Sequence, residues 1–288
     1  MQRSACGLLA GLLAASIWGG MYVVSKAVMD VVPPFTLLSS RLLLGIIVLG
    51  GILAFRRNRP VTRRQFWQVF GVGTVGYGIS LGFQFVGTHL STASNGALVT
   101  SATPAFVLLF ASLLLKEKIT WKRILALTVA SLGVMAIIDP RTADFSSRLF
   151  LGNLSLVAAA ITWALYSVLV RATTRHVDVL SVSAIAFAGG LPVSLPMSAW
   201  EICGSGTGTI TAGVVGGVLF IGIISTALAM YLWNTAFTLL DAGAASLTFF
   251  AQPVVGTILG AIFLGEKITP LFLLGGMFIG LGILIARE

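Results

Sequence analysis

The sequence predicts an all-α integral membrane protein with ten transmembrane helices, built as two inverted five-helix repeats. Three observations carry this. Of the 288 residues, 57% are hydrophobic and only 9% charged, and the mean hydropathy is +1.01. A soluble globular chain has about a quarter charged residues, so most of this surface must face lipid. The apolar residues fall into ten stretches close to the roughly 20 residues that a helix needs to cross a hydrocarbon core about 30 Å thick. The second half of the chain also repeats the first at a nearly constant offset.

The expected spans are 6–28, 35–55, 65–87, 92–115 and 119–138, then 150–173, 178–199, 211–237, 242–264 and 269–286. The longest connections, 139–149 and 200–210, leave no room for a soluble domain. The first apolar run resembles a secretion signal, but it continues past Tyr22 to Val28 and reads as a retained helix. Cys6 and Cys203 cannot build a disulfide framework or a metal set.

The net charge of +9 raises the question of nucleic acid. The Lys and Arg residues, however, sit in bursts between apolar runs, as in loops that meet anionic headgroups. No nucleic-acid partner is expected; the lipid bilayer is. With the N-terminus inside, the inner face holds Arg3, Arg56, Arg57, Arg59, Arg63, Arg64, Lys116, Lys118, Lys122, Arg123, Arg171, Arg175 and Arg287. The outer face holds Arg141, Arg148 and Lys267. This asymmetry predicts both termini in the cytoplasm, in a bacterial-type inner membrane. Lys26 and Arg41 fall within spans, where pairing with Asp30 or span carbonyls near the outer face is expected ahead of a role in gating or in attracting a substrate carboxylate.

The repeat aligns the run from Pro104 to Glu117-Lys118-Ile119-Thr120 with the run from Pro253 to Glu266-Lys267-Ile268-Thr269, at an offset of 149. Near the start of each half, Trp18 and Lys26 match Trp163 and Arg171 at an offset of 145. The repeats are 1–139 and 150–288. Five spans is an odd number, so the second copy runs through the membrane in the opposite sense. Such a molecule has a pseudo-two-fold axis in the membrane plane and can show one central site to either side in turn.

Several motifs reduce to packing. Gly71, Gly73 and Gly76 fit a dinucleotide fingerprint, but no strand precedes them and no acid follows at the needed distance. Gly78-Ile79-Ser80-Leu81-Gly82 fits a nucleophile elbow, but inside an apolar run. Both read as small-residue helix faces. So do the pairs Gly256/Gly260 and Gly276/Gly280, read as close packing within one molecule.

Candidate binding residues come from polarity and aromaticity at membrane depth. Trp18, Tyr22, Trp163 and Tyr166 lie near the middle of the first span of each half, too deep for an interfacial belt. An indole N–H at that depth needs a partner, which a polar cavity supplies. Asn95 and Thr100 in the fourth span, Ser246 and Gln252 in the ninth, and Gln84 in the third are costly in lipid unless they face protein or water. Tyr77, Trp233 and Phe250 complete the set. Pro104 and Pro253, at equivalent repeat positions, are expected to bend or gate their helices. No Asp or Glu lies deep in any span, which favours facilitated export over strong proton coupling. No catalytic residue, metal site or cofactor is expected.

In these features the chain resembles the drug/metabolite transporter superfamily, with two EamA-type domains. The features are Trp18-Gly19 with Lys26, the Pro33-Pro34 turn, Arg41, and the Glu117-Lys118 and Glu266-Lys267 ends of the halves. Within the superfamily it most resembles the YddG-type amino-acid exporters. The resemblance implies ten helices around a central cavity and export of metabolites, often amino acids, by alternating access. The second half departs from the first, with Ala164 at the place of Gly19, no proline pair and no match for Arg41. The expected cargo is a small molecule, an amino acid with neutral and aromatic ones included, and the expected unit a monomer. Export of drugs or other metabolites by proton antiport is the alternative. A membrane-embedded enzyme would need clustered His, Asp, Glu or Cys, which two distant histidines do not supply.

Overall fold

The computed structural model describes residues 2–56, 60–90, 100, 102–138, 147–264 and 270–287, and every regular element among them is helical. The first half contributes α1 (Gln2–Met29), α2 (Pro34–Phe55), α3 (Arg63–Gly73), α4 (Leu81–Leu90), α5 (Thr103–Leu115) and α6 (Trp121–Ile138). The second contributes α7 (Ser147–Thr173), α8 (Val179–Ser205), α9 (Ala212–Leu219), α10 (Ala229–Leu239), α11 (Ala242–Leu247), α12 (Ala251–Leu264) and α13 (Pro270–Arg287). A π-helical stretch, Thr74–Ser80, joins α3 to α4, and another, Phe220–Leu228, joins α9 to α10. A short 3-10 turn, Thr248–Phe250, joins α11 to α12.

Six helices among the described residues are long and apolar enough to cross a membrane: Arg3–Met21, Pro34–Phe55, Arg63–Thr88, Phe150–Thr173, Val179–Gly204 and Ala212–Leu239. The fourth, fifth, ninth and tenth expected spans are also helical where described, in pieces no longer than 18 residues. Large apolar side chains such as Ile47, Leu113, Ile262 and Met277 point outward, as lipid contact requires.

Local chemistry sets the helix ends. Pro34 stands in the first turn of α2, where its missing N–H has no helical partner to lose. Thr62 and Gln65 cap α3 reciprocally: the Gln65 N–H donates to Thr62 Oγ1 at 3.3 Å and the Thr62 N–H to Gln65 Oε1 at 3.0 Å. Asp178 caps α8 and Thr211 caps α9 in the same sense. Lys116, with φ of 57°, ends α5 in the left-handed region, and Gly206, with φ of 68°, ends α8.

The strongest packing joins the halves rather than running within them. α2 packs on α8, and α6 on α13. α1 lies against α10 and α12, while α7 lies against α4 and α5. Several crossings depend on glycine. A Cβ at Gly73 would come within 2.0 Å of the Ala186 carbonyl oxygen on α8, and one at Gly19 within 2.7 Å of the Gln252 oxygen on α12. Gly256 faces Gly19 across that second crossing, as the packing reading of its motif expects. Gly276 and Gly280 do not show it: among the described residues, nothing lies within 4 Å of a Cβ there. On α13 it is Gly282 that meets the Ala126 carbonyl of α6.

Candidate functional site

A cavity sits where the two halves meet, with about 40 Å³ open to the centres of water-sized molecules. That admits a few waters. α1 contributes Trp18 and Met21, α2 contributes Arg41, and the third span contributes Ser80, Leu81 and Gln84. Thr100 and Thr103 close the fourth side. From the second half come Ala159, Ala160 and Trp163 of α7, Met230 of α10, Phe249 of the 3-10 turn and Gln252 of α12.

The wall is aromatic. The Trp18 ring lies 5.9 Å from Trp163, 5.3 Å from Trp233 and 6.1 Å from Phe249, in edge-on and tilted contacts. The Trp18 Nε1–H donates to the Ser225 carbonyl oxygen at 3.0 Å, inside the second π-helical stretch. The Trp163 Nε1–H is buried and finds no acceptor among the described residues.

Of the residues expected from sequence, Trp18, Gln84, Thr100, Trp163 and Gln252 come together on the cavity. Tyr77, Tyr166 and Trp233 lie behind them, fully buried. The Tyr77 and Tyr166 hydroxyls share a hydrogen bond of 2.5 Å, Tyr166 also donates to Asn234 Oδ1 at 3.0 Å, and Asn234 Nδ2 donates to Ser183 Oγ at 2.9 Å. Trp233 donates to Ser167 Oγ at 3.1 Å. These polar groups tie helices together rather than open to the cavity. Ser246 is buried and donates to the Gly243 carbonyl of its own helix. Phe250 packs in a separate core with Ala126, Ala130, Leu247 and Ile279. Asn95 and the Tyr22 and Lys26 side chains lie outside the described residues.

Pro104 stands near the start of the described part of α5. Pro253 lies three residues after the 3-10 turn, within a helical run that continues from Ala242 to Leu264.

Arg41 is the residue whose setting sequence reasoning missed. It is 1% exposed, lines the cavity, and its Nε–H donates to Thr226 Oγ1 at 2.7 Å. An ionisable residue inside a span is itself the signal that points to a site. The other missed residues sit one helical turn from expected ones: Met21 from Trp18, Ser80 from Gln84, and Phe249 from Gln252.

Beside the turn between α10 and α11, Glu117 accepts from Arg171 Nε at 2.9 Å, from the Ala242 N–H at 3.2 Å and from Arg123 at 3.4 Å. Asp241 pairs with the same two arginines at 2.8 and 3.0 Å. Arg171 also donates to the Phe237 and Leu240 carbonyls. This cluster binds the end of the first half to the turn between α10 and α11.

The model of the EamA-like transporter family matches residues 5–138 and 150–287. The chain is 26% identical over 271 residues to the uncharacterized transporter YetK of Bacillus subtilis strain 168, covering 92% of this chain and 82% of that one. It is 24% identical over 285 residues to the uncharacterized transporter YoaV of the same organism, covering 96% and 95%. A crystal structure that is 21% identical superimposes with a TM-score of 0.80 over 98% of this chain and 96% of the other, a likeness of fold.

Proposed function

Because the chain belongs to the EamA-like transporter family, a group of multi-pass membrane transporters, we propose that it exports small metabolites, amino acids foremost, across a bacterial-type inner membrane. The carrying observation is the cavity between the halves, walled by Trp18 and Arg41 from one and Trp163, Phe249 and Gln252 from the other. A site shared in this way opens to one side or the other as the halves rock. Its aromatic walls suit neutral cargo with apolar or aromatic bodies.

Ten crossings in two inverted repeats underlie this reading, with both termini in the cytoplasm. The packing supports it, because contacts recur when the halves are exchanged. α1 on α10 is answered by α7 on α4, and α1 on α12 by α7 on α5. The π-helical stretches Thr74–Ser80 and Phe220–Leu228 fall at matching places in the third span of each half. π-Helical turns gather at functional sites, and here they adjoin Gln84 and Met230 on the cavity wall. Transport is facilitated rather than strongly proton-coupled, a reading supported by the lack of acidic residues deep in the spans.

Counterflow in proteoliposomes with a panel of radiolabelled amino acids, with and without a pH gradient, tests this. The expected result is trans-stimulated exchange of neutral and aromatic amino acids that needs no pH gradient and is lost in Trp163→Ala. Flux without trans-stimulation would mean a channel, and flux that requires the pH gradient would mean proton antiport.

A further inference from the structure

We propose that Arg41 anchors a carboxylate on the transported molecule, so that the cavity selects cargo by its anionic group; this rests on the carrier reading above. Among the described residues that line the cavity, Arg41 alone carries a formal charge. A guanidinium stays protonated in any protein setting, and a cation at membrane depth is costly enough to mark a function.

Its placement is built rather than incidental. The Arg41 Nε–H donates to Thr226 Oγ1 at 2.7 Å. That hydroxyl gives its own proton to the Ile221 carbonyl, also at 2.7 Å, so it meets Arg41 only as an acceptor. Arg41 comes from α2 and Thr226 from the π-helical stretch of the other half. The guanidinium is thus held between the two parts that must move apart.

A second donor serves the same cavity. Trp163 Nε1 is buried against it without an acceptor among the described residues. A buried indole N–H ordinarily has a partner. A fixed guanidinium and an unspent N–H suit an anion with two oxygens in a plane, which the fork of an arginine matches. Trp18 and Phe249 offer faces for an apolar body, and Gln84 and Gln252 offer neutral hydrogen bonds for an amino group. A cationic cargo would be repelled by Arg41, and an uncharged one would gain little from it.

The test uses the full chain in proteoliposomes and three probes on one skeleton: L-phenylalanine, its amide, and 3-phenylpropionate. Binding is read by quenching of tryptophan fluorescence and transport by counterflow. The amide is expected to bind about 30-fold more weakly than phenylalanine, the factor for one charge-assisted hydrogen bond, and 3-phenylpropionate within a few-fold of it. Arg41→Gln should erase the gap between acid and amide, while Arg41→Lys should keep part of it. If Arg41→Gln does not fold, the wild-type ratio and Arg41→Lys decide. An amide that binds as well as the acid, no binding of either carboxylate, or an unchanged gap in Arg41→Gln overturns the anchor. Discrimination in binding without counterflow upholds the anchor and removes the carrier reading; counterflow without discrimination does the reverse.

Discussion

The indole Nε1 of Trp18 donates to the backbone carbonyl of Ser225 at 3.0 Å, across 207 residues of sequence. The bond ties the first span of one half to the π-helical stretch of the other. Trp18→Phe keeps a ring against Trp163 and Trp233 but removes the donor and strands the carbonyl. The expected loss is about 1–2 kcal/mol, read as a lower unfolding midpoint in detergent micelles.

Glu117 and Asp241 serve the same two arginines but should not matter equally. The Glu117 side chain is 12% exposed and that of Asp241 55%. Glu117 also accepts from the Ala242 N–H. Glu117→Gln leaves a half-buried Arg171 poorly matched and should cost roughly 2–3 kcal/mol. Asp241→Asn should cost under about 1 kcal/mol, because solvent screens the pair. Unfolding midpoints at low and high salt check both, with only the Asp241 effect shrinking as salt rises.

Gly73 and Gly71 give a paired test of close approach. A methyl group at Gly73 would strike the Ala186 backbone, whereas nothing lies within 4 Å of one at Gly71. Gly73→Ala should destabilise by about 1–3 kcal/mol or more, since backbone cannot step aside. Gly71→Ala should be neutral or slightly stabilising in an otherwise helical stretch. The yield of monodisperse protein on size-exclusion chromatography separates the two.

Phe249 and Phe250 are neighbours with opposite duties. Phe249 lines the cavity, and Phe250 fills the core between α6, α11 and α13. Phe249→Ala should raise the KM for aromatic cargo several-fold and, because its buried ring packs on Trp18 and Trp233, should also cost stability. Phe250→Ala should lower stability by about 3–5 kcal/mol and leave the KM of the surviving protein near its original value. Transport kinetics alongside thermal unfolding check the assignment.

That pair shows what the sequence could and could not tell. Span positions were legible because a run of apolar residues fixes membrane depth without fixing rotation. Rotation is what decides a binding wall. One residue turns a helical side chain by about 100°, and the 3-10 turn before α12 adds a local change of pitch that no composition signals. Tyr77 and Tyr166 were expected among the binding residues, yet hydrogen bonds between helices satisfy their hydroxyls as well as a cavity would. Trp18, Trp163 and Gln252 were expected at the site from their depth in the spans, and the three line the cavity. Arg41 was visible as a charge inside a span, but its partner Thr226 lies 185 residues away and nothing in the sequence joins them.

The interlocked packing of the halves has a consequence for what counts as a unit here. Each repeat buries its best faces against the other, α2 on α8 and α6 on α13 among them. Neither half is expected to stand alone, since the faces it buries against the other would open to lipid. Among the described residues, the strongest packing joins helices of the two halves rather than chain neighbours. A gene cut between residues 139 and 150 should still yield the assembled protein from two separate polypeptides.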